Sequence, residues 1–405
     1  LGHADFRNNK FLCVPIKTKI SIVSRNYFEG VVVLLQLFLV PALAFMLAFS
    51  LTPLLRRLAL RVGAVDHPGG RKIHGQAMPL LGGVAVYLAF WITAALLLIF
   101  IPGSEKLWGL FWGSSLILAM GLYDDIKGLS YKAKLAGQFA AALILLAYNI
   151  RIEFITIPFR EMVFLGIFVV PLTLLWVVGV TNALNLTDGV DGLATGISII
   201  AAAVICALAF GDFPLLALLA LSLAGAALGF LPHNFSPARI FLGDSGSLFL
   251  GFMLAAFSIM TVTKQATLTA LVIPVMILGL PIFDTCYVMW RRLRNHRSIF
   301  QADNGHIHHR LLDMGLGPRR TVLVLYGGSI YFGAAAIAFA YFDLGTTGLY
   351  LIPLVFVCFA LLLRHLESVG AFLAGVGISI NPARGKRENT AEKFGKEKSQ
   401  RDLPS

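Results

Sequence analysis

Eleven apolar runs divide this chain, each close to the roughly 20 residues that a helix needs to cross the hydrocarbon core of a bilayer. They lie at 31–51, 80–101, 107–123, 135–150, 161–181, 193–210, 213–231, 247–263, 267–290, 321–342 and 346–363. The chain is 58% hydrophobic and 13% charged, against about 25% charged in an average soluble protein. A soluble core cannot absorb that much apolar surface. Backbone polar groups within a bilayer must be satisfied internally, so such runs become helices. The expected fold is an all-α integral membrane protein, a polytopic bundle of about 11 transmembrane helices. The third and fourth runs are short, and tilting or partial re-entry would accommodate them.

Basic residues orient the bundle, because they accumulate on the cytoplasmic side. Segments following the odd-numbered runs hold 24 of the 33 Lys and Arg residues. That side is expected to be cytoplasmic, with the N-terminus outside and the C-terminus inside; five basic residues in the first thirty count against this and are outnumbered. Three regions follow: an extracytoplasmic segment 1–30, a membrane domain 31–364, and a mostly disordered cytoplasmic tail 365–405, polar and mixed in charge from about 381. The first run is too long for a signal-peptide core and reads as a retained span. Cys13, Cys206, Cys286 and Cys358 are scattered without Cys-x-x-Cys spacing, which fits buried small hydrophobes better than a disulfide frame or metal site. The net charge of +12 sits in juxtamembrane loops and the tail, so it points to anionic membrane lipids as partners and not to nucleic acid.

Five polar constellations fall on the predicted cytoplasmic face. In DHPGGRKIHGQAMPLLGG (66–83), Asp66, Arg71, Lys72 and His74 precede a Pro/Gly entry into the second run, a setting for phosphate or for a positive-inside anchor. In GLYDDIKGLSYKAKL (121–135), the adjacent Asp124 and Asp125 are followed by Lys127, Lys132 and Lys134; adjacent carboxylates are better tolerated beside a cation. Asn182, Asn185, Asp188 and Asp191 recur every three residues in TNALNLTDGVDGLATG (181–196), with glycines that suggest a helix end. Their oxygens are hard ligands of the kind Mg²⁺ prefers. HNFSPARIFLGDSGSLFLG (233–251) sets Asp244 among glycines and hydroxyls at a helix start, whose free amides favour anions. QADNGHIHHRLLDMG (301–315) carries His306, His308 and His309, not at a usual structural zinc spacing; with Arg310 they suit sugar hydroxyls and phosphate oxygens. Together the five read as metal-assisted transfer of a phosphoryl-linked group between a soluble donor and a lipid acceptor. A transporter of anionic lipid or sugar phosphate is the rival from another class, but transporters set their polar groups near the midplane, and no internal repeat is visible.

These motifs, from about Asp66 to Leu316, resemble the polyprenyl-phosphate N-acetylhexosamine-1-phosphate transferases, in particular the bacterial branch acting on undecaprenyl phosphate and UDP-GlcNAc. His-x-His-His at 306–309 departs from the His-His-His-Phe-Glu pattern of the muramyl-pentapeptide transferases, which rank as the alternative. The Asp-Gly-x-x-Ala-Arg run of the CDP-alcohol phosphatidyltransferases is absent. The resemblance implies a bacterial cytoplasmic (inner) membrane enzyme, often a homodimer, with a cytoplasmic cleft holding Mg²⁺ or Mn²⁺. It implies that Asp244 binds the metal with Asn185 as a second oxygen ligand, and leaves Asp188 between metal and pyrophosphate water. Asp191, Asn234 and Phe241, with Lys72, match positions that hold the uridine nucleotide. Asp124 and Asp125 match the pair at the lipid phosphate, with Lys132 nearby. His306, His308, His309 and Arg310 match the sugar and pyrophosphate contacts. The expected reaction is transfer of GlcNAc-1-phosphate to undecaprenyl phosphate with release of UMP, by direct attack.

Overall fold

The computed structural model describes residues 16–66, 77–101, 103–156, 162–262, 272–296, 305–342 and 345–375. In chain order the elements are α1 (Ile16–Val62), β1 (Val65–Asp66), β2 (Met78–Pro79), α2 (Gly82–Phe100), α3 (Lys106–Lys127), α4 (Tyr131–Ala147), β3 (Phe154–Thr156), β4 (Met162–Phe164), α5 (Val169–Thr187), α6 (Leu193–Ala209), α7 (Pro214–Asn234), α8 (Gly243–Val262), α9 (Val272–Ile277), α10 (Gly279–Arg294), α11 (Ile307–Asp313), α12 (Pro318–Tyr341) and α13 (Gly345–Gly375). Two short antiparallel hairpins, β1 with β2 and β3 with β4, are the strands among the described residues. The fold is therefore all-α. Among the described residues, six helices are long and apolar enough to cross a membrane: α1 from Gln36, α2, α5 with the turn before it, α7, α8 and α12.

Each apolar run of the sequence carries helix, with instructive differences at four places, the first being the run 161–181, which opens with β4 and becomes α5 only at Val169. The run 267–290 is interrupted at Leu278, between α9 and α10. Pro281 has no N–H to offer the carbonyl of Ile277, so the ladder fails there. At the N-terminal end, α1 begins at Ile16, inside the segment assigned as 1–30. At the C-terminal end, α13 continues to Gly375, ten residues past the expected start of the tail.

The core forms around α8, which is apolar all round and buried along nearly its whole length, as such a helix must be. Phe249 and Phe257 of α8 meet Phe90 of α2 with ring centroids 6.1 and 6.3 Å apart, and Tyr87 approaches Phe249 edge-on at 5.3 Å. Around α8 stand α2, α3 and α5; α4 fills the angle between α3 and α5, and α10 lies against α5 and α12. Small residues let these helices approach closely. A β-carbon on Gly83 would strike the backbone of Gly246, and one on Gly121 would strike that of Ser245. The ends of α2 and α3 thus seat directly on the first turn of α8.

The same end is tied by main-chain hydrogen bonds. Phe241 N donates to Pro79 O at 2.8 Å, Gly82 N to Phe241 O at 3.1 Å, and Gly83 N to Leu242 O at 2.9 Å. The first and fourth constellations of the sequence are therefore neighbours in space. Arg71, Lys72 and His74 lie outside the described residues.

Candidate active site

The aspartate pair occupies the last turn of α3, and its two members face different partners. Asp124 Oδ2 is 2.5 Å from Lys134 Nζ, and the same ammonium lies 2.6 Å from Asp244 Oδ2. Asp124 Oδ1 also accepts from Leu129 N, which closes the turn into α4. Burial and the neighbouring Asp244 hold Asp124 above the ordinary carboxylate range, with Lys134 pulling the other way. Asp125 reaches across to α8, where its two oxygens accept from the amides of Asp244 (2.8 Å) and Ser245 (3.1 Å). The anion that the sequence led one to expect at that helix start is thus supplied by the protein itself. Gly243, at φ +73°, makes this possible: a β-carbon there would be 2.6 Å from both Asp125 Oδ2 and Leu80 O. Burial, augmented by Asp244 and opposed by the two amides, raises Asp125 to about 7.

The two lysines at the start of α4 are placed differently. Lys132, proposed from sequence, is exposed on α4 and pairs with no carboxylate among the described residues, whereas Lys134 bridges Asp124 and Asp244. Helical periodicity carried the signal, because Lys134 lies on one face with the buried Gln138, Ala141 and Leu145.

The every-third-residue stripe is split among four tasks. Asn182 exchanges amide hydrogen bonds with Gln138 of α4, so it braces two helices away from the aspartates. Asn185 Nδ2 donates to Asp244 Oδ1 at 3.1 Å and to Ser247 Oγ at 2.8 Å, which fixes the amide and leaves its oxygen for a ligand. Asp188 ends α5 as its C-cap. No donor reaches its partly buried carboxylate among the described residues; burial and the charges of Asp244, Asp125 and Asp191 push it up to about 8. Asp191 accepts from Ala238 N at 2.9 Å and so holds the loop before α8.

Asn234 is buried, its oxygen accepting from Thr195 Oγ1 (2.8 Å) and its nitrogen donating to Ile240 O (3.2 Å). In this conformation it shapes the 235–242 loop, and Phe241 joins that loop to the entry of α2. The histidine segment docks on the Asp-Gly turn. His308 is buried against Gly189, where a β-carbon would collide with its Nε2, and that nitrogen has no hydrogen-bond partner among the described residues. Burial, with His309 and His306 beside it, lowers His308 to about 3, so its ring is uncharged near neutral pH. His309 lies 4.2 Å from His308 between ring centroids, and Arg310 sits over the Tyr287 ring at 5.2 Å.

Asp124, Asp125, Asn185, Asp188 and Asp244 therefore converge where α3, α4, α5 and α8 meet. Several oxygens face one another with Lys134 as the one ammonium paired with them among the described residues, and it reaches Asp124 and Asp244 but not Asp188. Among the described residues, no three His, Cys, Asp or Glu side chains gather into a group able to hold a metal by themselves. The side chain that sequence reasoning missed altogether is Asp284 of α10, buried and paired with His306 at 2.8 Å. A lone carboxylate inside an apolar run was its signal.

The sequence model of glycosyl transferase family 4 matches residues 107–262, from α3 through α8. The chain is 41% identical to a Bacillus subtilis protein named "probable undecaprenyl-phosphate N-acetylglucosaminyl 1-phosphate transferase", over 71% of this chain and 80% of that one. It is 36% identical to the decaprenyl-phosphate N-acetylglucosaminephosphotransferase of Mycolicibacterium smegmatis, over 78% and 84%. It is also 35% identical to the phospho-N-acetylmuramoyl-pentapeptide-transferase of Listeria monocytogenes, over 66% and 86%. The matched segment contains the helices that carry the aspartates, and the apolar helices around them are those of a multi-pass membrane protein: the chain belongs to glycosyl transferase family 4 and is a membrane phospho-sugar transferase.

Proposed function

We propose that this protein transfers N-acetylglucosamine-1-phosphate from UDP-GlcNAc to undecaprenyl phosphate, giving undecaprenyl-pyrophosphoryl-GlcNAc and UMP. The observation that carries the reading is the convergence of Asp124, Asp125, Asp188 and Asp244, with Lys134 bridging Asp124 and Asp244, in a chain 41% identical to a relative named for this reaction. The protein sits in the bacterial cytoplasmic membrane with about eleven crossings, and the site opens to the cytoplasm as a cleft. Residues 1–30 and 365–405 flank the membrane domain, and two copies associate. Support for the orientation comes from the 24 basic residues on one side.

Asp244 and Asn185 hold a divalent cation, Mg²⁺ or Mn²⁺. What supports a cation here is the all-oxygen donor set and the unpartnered Asp188 among like charges. When bound, the metal supplies charge neutralisation on the transferring phosphoryl group. The chain's own groups do the rest. Lys134 offsets charge between the acceptor side, at Asp124, and the metal side, at Asp244. Asp125 fixes the first turn of α8, which aims Asp244. Asp191, Asn234, Phe241 and Lys72 hold the uridine nucleotide, and His306, His308, His309 and Arg310 face the sugar and pyrophosphate.

An oxygen of the acceptor phosphate attacks the sugar-bearing phosphorus of the donor. A new P–O bond forms, the bond to the bridging oxygen breaks, and UMP leaves with that oxygen. A phosphate monoester has its second pKa near 6, so the acceptor is already largely dianionic and needs no strong general base. Alignment and charge stabilisation provide most of the acceleration. The test is to incubate purified protein with undecaprenyl phosphate and UDP-GlcNAc, with Mg²⁺ or EDTA, and measure UMP and lipid product. Metal-dependent UMP matched by GlcNAc-pyrophosphoryl-lipid supports the reading; release only from UDP-MurNAc-pentapeptide or another UDP-sugar overturns the donor.

A further inference from the structure

Asp284 is the one acidic side chain in α10, and it is 5% exposed. A carboxylate in such a place is costly unless each oxygen is engaged. Both are: Oδ2 lies 2.8 Å from His306 Nδ1, and Oδ1 accepts from the amide of Ile307 at 2.9 Å. A carboxylate only accepts, so the hydrogen in the first contact belongs to Nδ1 of the ring. The pairing fixes both the plane of His306 and its tautomer, and leaves Nε2 as the nitrogen presented to a ligand.

The arrangement extends beyond one ring. His306 stacks on His308 with centroids 5.7 Å apart and planes 8° from parallel, and His308 rests on Gly189 of the Asp-Gly turn. Two turns further along α10, the Arg291 guanidinium lies against Gly305, the residue before His306, where a β-carbon would overlap it. Asp284 and Arg291 are seven positions apart and so share a face of the helix. That face is the template on which the histidine segment is laid, and α10 itself packs on α5, which ends at Asp188.

We propose that Asp284 is a positioning residue that acts through His306, holding the ring in its Nδ1–H form so that Nε2 meets the sugar-nucleotide donor. This rests on the transferase reading above for what His306 faces. Asp284→Asn tests it, because an amide of the same shape still accepts from Ile307 N while its NH₂ faces Nδ1, forcing the opposite tautomer.

The expected result is a fall in kcat of about 10- to 100-fold, the scale of removing a group that orients a functional histidine, with donor KM and melting midpoint unchanged. A Asp284→Asn/His306→Asn double variant is expected to be no slower than His306→Asn alone. Wild-type kcat in Asp284→Asn, or losses that multiply in the double variant, would overturn the proposal. Should Asp284→Asn fail to fold, His306→Asn decides: its amide donates to Asp284 as Nδ1–H does but lacks the second nitrogen. It is expected to melt like wild type and lose the same turnover, and full activity would overturn the inference. Rates are taken relative to wild type on whichever UDP-activated N-acetylhexosamine wild type turns over, so a wrong donor assignment shows in wild type and leaves the ratio readable.

Discussion

Lys132 and Lys134 stand two positions apart on α4, and their surroundings differ completely. Lys134 links Asp124 to Asp244, while Lys132 is exposed. Replacing Lys134 with Ala strips a stabilising charge from the site and is expected to cut UMP release by about 10²-fold; Lys132→Ala should stay within about twofold, the scale of an exposed substitution. Equal losses would mean that the bridge is not functional. Proton linkage gives a second prediction. Asp188, raised to about 8, and Asp125, raised to about 7, keep protons in the folded state that the unfolded chain sheds near pH 4. Their contribution is present at low pH and is lost as pH rises through those values. In EDTA the melting midpoint in detergent should therefore fall between about pH 5 and about pH 8, and Asp188→Asn should flatten the fall. Added Mg²⁺ should restore more at the alkaline end; a midpoint that climbs with pH in EDTA contradicts the assignment. The polar residues themselves were legible in the sequence, because charge in an apolar chain is conspicuous. Their partners were less so: Asn182 belongs to the same stripe as Asn185 yet turns to Gln138, and only the packing of α4 on α5 decides that.

Among the elements, α8 sets the tolerance of the site to change. Its first turn receives Asp125 on its amides and the glycines of α2 and α3 on its backbone. Gly83→Ala would press a methyl group into the backbone of Gly246, and overpacking of this kind costs about 1–3 kcal/mol. A clear drop in melting midpoint is expected, whereas Gly179→Ala on α5, with nothing within 4 Å of the new carbon, should show none. Matching midpoints for the two variants would deny that the helices are held by backbone contact. Helices were readable from hydropathy because their length and composition are local properties. The break at Leu278 was readable only through Pro281, and the reach of α13 to Gly375 not at all, since the continuous apolar run ends at 363 and the mixed stretch after it is equally compatible with helix or loop.

For the whole molecule, six spans stand on length and hydropathy, and the proposed eleven crossings put the two termini on opposite sides. A C-terminal green fluorescent protein fusion should fluoresce in cells, and an alkaline phosphatase fusion at the same point should be inactive. The reverse pattern would invert the charge-based orientation and, with it, the side on which the donor is met. Tertiary closure is the part that no single segment announces: the histidine segment follows α10 in sequence but finishes on the turn between α5 and α6. That contact has a consequence for heredity. Because His308 takes up the space that a side chain at Gly189 would need, neither position can vary freely, and a larger residue at 189 is viable only alongside a smaller one at 308. In descent the two sites behave as one character, and a library that randomises both should yield folded clones as compensated pairs.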